Sequence, residues 1–262
     1  MKKLLLSTLV LTLAACNTSQ GPAAGLLGSG SGGSTSTDMK IGAGMDAYKA
    51  ATVSDADLKN VSLQMRARDD KKSMLPAGDK YAKRLAKLTD RHVNEDGLKL
   101  NFAVYRSDSI NANATADGSI RIYSGLMDKM TDQELLGIIG HEIGHVKKGH
   151  SMSSMRTAYM ASAGRKLTAS ASGVTGALAD SELGAISEKL VNSQFSQSQE
   201  TESDDYGLAF MKKYGYDAKS MESAFRKLAA LGGAQSGLDQ MMSSHPDSAK
   251  RADRVRDKLA SN

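Results

Sequence analysis

Residues 141–145, His-Glu-Ile-Gly-His, set two imidazoles four positions apart with a carboxylate between them. On a helix, positions i and i+4 share a face one turn apart. Both rings can then reach one ion, about 2.0–2.1 Å from each nitrogen for zinc. Glu142 is rotated off that line, where it can draw a proton from a water at the same site. Two histidines do not complete a coordination shell. His150 lies five residues past His145, beyond the helix stop that Gly149 signals, and is read as a supporting group. The stretch 200–205 offers Glu200, Glu202, Asp204 and Asp205. Glu200 and Asp204 share a helix face. One of them can bind the ion while the other accepts the N–H of a ligating histidine and fixes its tautomer. Glu202 with Asp205 is the alternative pair. Three protein ligands leave one position open, as a catalytic zinc site requires.

The elements that must position these groups leave local signals. Thr131-Asp-Gln-Glu134 is a capping box that opens the histidine helix. Leu135, Ile138, Ile139 and Ile143 would bury it, and Lys147, Lys148 and Gly149 suit its end. Upstream, Ser54–Asp57 opens a helix predicted to run to about Lys71. Pro76-Ala-Gly-Asp breaks the chain, and a second helix follows with Tyr81, Leu85 and Leu88 on one face. Asn94–Gly97 is a turn signal. Strands are predicted over 98–106 and 119–124, with the polar segment Asn-Ala-Asn-Ala-Thr-Ala-Asp-Gly between them read as a loop. The second strand, with Ile120 and Ile122, is expected to be the edge that pairs with an extended substrate. Residues 151–190, rich in Ala, Ser and Gly, read as loosely packed helices able to cover the cleft. Further helices are predicted over 194–213, over 217–231, and from Pro246 to the C-terminus. The expected class is α+β, dominated by helices, with one small β-sheet.

The N-terminus carries a different kind of signal. Two lysines precede an apolar run from Leu4 to Ala15. That run is too short to span a membrane and has the shape of an export signal. It ends in Leu13-Ala14-Ala15-Cys16, and Cys16 is the only cysteine. The pattern resembles a bacterial lipobox, which implies cleavage before Cys16 and acylation of its thiol and new amino group. Several acyl chains anchor stably where one does not. Asn17 in place of an aspartate favours the outer membrane. Residues 1–15 are therefore expected to be a signal peptide, 16–37 a Gly/Ser-rich tether and 38–262 one catalytic domain. Aromatic residues are 5% of the chain, Trp is absent and basic residues never run beyond a pair, so nucleic acid is excluded as a partner. The 14 methionines are read as core filler.

The stretches 120–150, 187–197, 199–207 and 245–251 together resemble the gluzincin family that contains HtpX, BepA and the type I CaaX prenyl proteases. Within it, the chain is similar to the lipid-anchored outer-membrane metalloproteases, from about Asp38 to its end. The resemblance implies a zincin-like metallopeptidase domain holding one zinc ion per chain. His141, His145 and Glu200 would be the ligands, Asp204 the supporting acid and Glu142 the base. It places His245 at the cleft as a catalytic residue, either stabilising the transition state or blocking the open zinc position. Arg251 follows as an oxyanion or support group. The implied activity is endoproteolysis of misfolded or damaged envelope proteins, a quality-control role at the periplasmic face of a Gram-negative outer membrane. A partner protease or assembly machinery is expected alongside. The rival reading is a zinc-containing assembly factor or chaperone, against which the intact Glu142 argues. Relatives often carry a larger apolar residue in place of Asn113, so the substrate edge departs from the family there.

Overall fold

The computed structural model describes residues 53–163, 178–191, 193–231 and 239–261. The expected signal peptide, Cys16, the expected tether and the expected domain start at Asp38 lie outside the described residues. Among the described residues, no helix is long and apolar enough to cross a membrane.

Helix α1 (Asp55–Ser73) opens as its sequence directs: the Ser54 hydroxyl accepts from the Asp57 N–H, and the Asp57 carboxylate accepts from the Ser54 N–H. Helix α2 (Lys80–Thr89) buries Leu85 and Leu88. A 3-10 turn at Asp90–His92 leads into a hairpin, β1 (Asn94–Glu95) and β2 (Leu98–Lys99). Asp96 and Gly97 join them with φ of 48° and 81°, the left-handed pair that a two-residue hairpin turn demands. The strand predicted over 98–106 therefore splits at Leu100, and β3 (Asn101–Tyr105) belongs to a second sheet. There β3, β5 (Ser119–Tyr123) and β4 (Ala112–Ala114) lie in that order, β5 parallel to β3 and antiparallel to β4.

This order corrects the expected substrate edge. β5 is paired on both sides, and Ile120 and Ile122 are fully buried in the core. Neither its backbone nor those side chains can meet a substrate. Among the described residues, the edge left without a partner is that of β4, inside the segment read as a loop, since the outer side of β3 carries a bridge between Met74 and Tyr105. Asn111-Ala112-Asn113-Ala114-Thr115 does carry the two-residue alternation of a strand. Small and polar residues hid it.

The remaining helices are α3 (Ser124–Lys129), α4 (Asp132–Lys147), α5 (His150–Ala163), α6 (Asp180–Val191), α7 (Gln197–Lys213), α8 (Lys219–Leu231), α9 (Asp239–Ser244) and α10 (Ser248–Ala260). The class is the helix-dominated α+β arrangement expected. One core lies around α4, under the sheet, α7 and α8. A second joins α1, α5 and α6 through Leu58, Val61, Met155, Leu183 and Ile186. α4 runs between neighbours on every side, and Glu134 through His145 are all buried. That is why its apolar residues do not form a single stripe.

α4 meets α7 at backbone distance. A Cβ added at Gly140 would lie 2.8 Å from the Phe210 ring, and one at Gly144 would lie 2.9 Å from the Ser203 Cα. Only glycine permits that approach, which brings positions 200 and 204 of α7 against positions 141 and 145 of α4.

Glu134 fixes the start of α4. It accepts from the Thr131 N–H at 2.8 Å, from Ser223 at 2.6 Å and from Lys227 at 2.7 Å, so the cap also docks α8. Burial alone would raise its pKa, but those donors outweigh it and hold the carboxyl at about 2, against an ordinary 4.5. A depressed carboxylate stabilises the fold fully above its unfolded value, and that contribution disappears as pH falls through the folded one. Glu134→Gln is expected to lower the unfolding free energy by about 1–3 kcal/mol at neutral pH. The difference from wild type should shrink as pH falls from 4.5 toward 2. Urea denaturation across that range measures it; a constant difference would assign the loss to packing.

Candidate active site

The Nε2 atoms of His141 and His145 face each other at 3.0 Å. Glu200 of α7 brings Oε1 to 3.2 Å from His145 Nε2 and Oε2 to 3.7 Å from His141 Nε2. His245, in the link between α9 and α10, places Nδ1 3.2 Å from His141 Nε2 and 3.0 Å from Glu200 Oε1. These four residues each offer a ligand atom within 4.8 Å of the others.

The far side of each ring decides what the near side can do. His141 Nδ1 donates to Asp204 Oδ1 at 2.9 Å. His145 Nδ1 lies 3.2 Å from His150 Nδ1, and His150 Nε2 lies 3.4 Å from a Glu202 oxygen. With both Nδ1 protons engaged outward, both Nε2 atoms point lone pairs at the same space. Lone pairs 3.0 Å apart repel unless a cation lies between them. The edges of a tetrahedron around an ion at 2.0–2.1 Å measure about 3.3 Å, and the donor separations of 3.0–3.7 Å bracket that value. The residues fit one tetrahedral ion, with His245 as a fourth donor.

Charge around the site follows the same logic. Burial would raise Glu200, but His245, His141 and Arg251 hold it far below the usual carboxylate range. Burial would raise Asp204 as well; Arg251 and His141 outweigh it and bring it to about 2. Burial pushes His145 well below its ordinary value, which keeps the ring neutral and free to ligate. Arg251 of α10 supplies the balancing cation. Its Nη1 lies 2.7 Å from Glu200, and its Nε and Nη2 lie 3.0 and 2.6 Å from the two oxygens of Asp204. Its guanidinium covers the Phe225 ring at 4.1 Å. Of the two roles expected for Arg251, the contacts suit support, because its donors are directed at two carboxylates.

Glu142 sits apart from this cluster. It is 1% exposed, and among the described residues its Oε1 has no hydrogen-bond donor, with His245 Nε2 3.6 Å away. A buried carboxylate oxygen without a donor is costly and calls for a function. Glu142, His245, Ser151, Phe195 and the β4 residues Asn113 and Ala114 line one cavity of about 330 Å³. Phe195 stacks on the His145 ring at 3.9 Å and 29° and shields it. Of the acids weighed at the sequence level, Glu200 and Asp204 reach the histidines. Glu202 is half-exposed at the outer end of the His150 relay, and Asp205 pairs with Arg254. The Phe195 stack and the Arg251 clamp were not read from residue types. The glycines at 140 and 144, four apart on α4, are the visible hint of the close α7 contact, while Gly137 packs against Met221 of α8.

Residues 79–259 match Peptidase family M48. Metalloprotease YcaL of Escherichia coli K12 is 41% identical over 227 residues, spanning 86% of this chain and 89% of that protein. Metalloprotease LoiP of the same strain is 43% identical over 222 residues, spanning 84% and 87%. The beta-barrel assembly-enhancing protease of that strain is 28% identical over 187 residues, spanning 63% of this chain and 37% of that protein.

Proposed function

This chain belongs to peptidase family M48, and we propose that it is a one-zinc endopeptidase of unfolded envelope proteins. The observation that carries this reading is the pair of inward Nε2 lone pairs beside a carboxylate, with a Glu142 oxygen that accepts no hydrogen bond among the described residues in the adjoining cavity. Two imidazoles and a carboxylate suit zinc. Zinc bound there supplies a Lewis acid and makes water a nucleophile near neutral pH. His141, His145 and Glu200 hold it; Asp204 and the His150–Glu202 relay orient the two rings; Arg251 fixes Glu200. Glu142 takes the proton of the attacking water and returns it to the leaving amine. The free edge of β4 takes an extended substrate backbone alongside. Metal analysis beside cleavage of an unfolded polypeptide tests the reading.

The lipobox ending at Cys16 supports an anchor in the outer membrane, with the domain facing the periplasm. The E. coli relatives are consistent with that setting. A relative named for β-barrel assembly supports misfolded outer-membrane proteins as substrates and assembly machinery as a partner. The chaperone-only alternative is weakened by Glu142, since a structural metal needs no base beside it.

A second reading concerns His245. Its Nδ1 lies 3.2 Å from His141 Nε2 and 3.0 Å from Glu200 Oε1, close enough to serve as a fourth ligand in place of water, and on this reading the conformation described is a resting one. His245→Ala is expected to raise cleavage per bound ion several-fold while three ligands keep the ion. Initial rates normalised to metal content measure this. A tenfold fall would instead assign His245 to transition-state stabilisation.

A further inference from the structure

Two arginines are buried between α1 and the sheet, Arg121 at 2% and Arg66 at 6% exposure. Arg121 is matched in charge. Its Nε and Nη2 each lie 2.9 Å from the two oxygens of Asp70, and its Nη1 donates to the Asn101 carbonyl at 3.0 Å. Arg66 is not. Its Nε donates to Thr115 Oγ1 at 3.0 Å and its Nη2 to the Asn113 side-chain oxygen, both neutral acceptors. Among the described residues, no carboxylate forms an ion pair with it. Guanidinium stays charged at every relevant pH, and a buried charge without a counter-charge is strongly disfavoured. The two acids one turn along α1 are already engaged: Asp69, on the same cavity wall, by Arg68 at 2.9 Å and Ser187 at 3.2 Å, and Asp70, which feels the Arg66 charge without contacting it, by Arg121 at 2.9 Å and Tyr105 at 2.7 Å.

The place of this cation, which no carboxylate contacts among the described residues, gives it a use. Arg66, Lys72 and Arg106 line the same cavity as Glu142 and His245. Asn113 and Thr115, which orient the Arg66 fork, belong to the β4 segment whose outer edge is free. A peptide lying along that edge passes the guanidinium. Arg66 presents a planar fork of donors, which matches a carboxylate in two parallel hydrogen bonds.

We propose that Arg66 is a specificity-determining residue that binds a carboxylate of the substrate close to the scissile bond. The carboxylate is either an Asp or Glu side chain or the free C-terminus of the peptide. The inference rests on the peptidase reading of the cavity. It gives the neutral Asn113 and Thr115 a role: they hold the guanidinium in place and leave its charge for the ligand.

The test uses the full chain and quenched fluorescent peptides of one sequence. Glu or Gln is placed at each position flanking the cleaved bond, and each peptide is made with a free or an amidated C-terminus. Wild type is expected to cleave one carboxylate peptide about tenfold better in kcat/KM than its neutral twin, mainly through KM. A Glu-over-Gln preference identifies a side-chain carboxylate; an acid-over-amide preference identifies the C-terminus. In Arg66→Met the ratio should fall to about one, and in Arg66→Lys it should be intermediate. Equal cleavage of every pair by wild type overturns the proposal, as does a preference that survives in Arg66→Met. Either result leaves the peptidase reading standing, because cleavage itself was seen. If the resting site cleaves no peptide, the same pairs are compared as Kd values on Glu142→Gln with and without Arg66→Met. A tenfold difference abolished by the second substitution supports the proposal, and equal Kd values overturn it.

Discussion

Glu142→Gln is expected to keep its bound ion and lose between a hundredfold and ten-thousandfold in turnover. The two halves of that result come from different atoms. The groups that could hold the ion are His141, His145, Glu200 and His245, and Glu142 is not one of them. Turnover depends on a group that takes a proton, and Glu142 Oε1 is a buried carboxylate oxygen on the cavity wall that lacks a donor among the described residues. Glutamine preserves the side chain's volume and removes only its basicity, so packing in α4 is spared. Metal analysis and initial rates on an unfolded polypeptide, run on the same preparation, separate the halves. Ion loss in proportion to activity would move Glu142 into the coordination shell. Unchanged turnover would remove it from the mechanism.

Glu200→Ala is expected to lose ion and activity together, with at least a hundredfold weaker metal binding. The size of the effect comes from what remains. Three histidines still face the site, but the one carboxylate among the candidate ligands is gone, and Arg251, which keeps Asp204, loses the carboxylate 2.7 Å from its Nη1 and with it half of its counter-charge beside the ion. Asp204→Asn should cost about 10–100-fold in metal affinity, because it weakens the orientation of His141 without removing a ligand. Glu202→Ala should stay close to wild type, since Glu202 touches only the outer end of the His150 relay and is half-exposed. Competition against a chromogenic chelator ranks the three. Glu202→Ala losing more metal than Glu200→Ala would contradict the arrangement.

What the sequence made legible was local. The capping box at Thr131, the four-residue spacing of His141 and His145, and the shared phase of Glu200 and Asp204 each need only one helix to be read. The structure brings all four site residues to one point. What stayed hidden depends on contacts distant in the chain. Nothing in Ser119–Tyr123 says whether that strand lies at the edge or in the middle of its sheet. That is decided by where β3 and β4 pair, and β4 is three residues of alanine and asparagine with almost no apolar signal. The pairing of Arg251 with Asp204 joins positions 47 apart, and the Arg66 contact with Thr115 joins positions 49 apart. Arginine and aspartate on amphipathic helices read as solvated faces until a partner helix covers them. The glycines at 140 and 144 marked such a close contact, without naming the helix that makes it.

The most direct measurement strips the purified protein with a chelator and returns zinc in steps. Bound zinc and cleavage of an unfolded polypeptide are followed together, in wild type and in His245→Ala. A one-zinc peptidase predicts that cleavage rises in proportion to occupancy and levels off at one ion per chain, with His245→Ala reaching the higher plateau. Full cleavage by the stripped protein would contradict it. So would one zinc per chain with no cleavage in either protein.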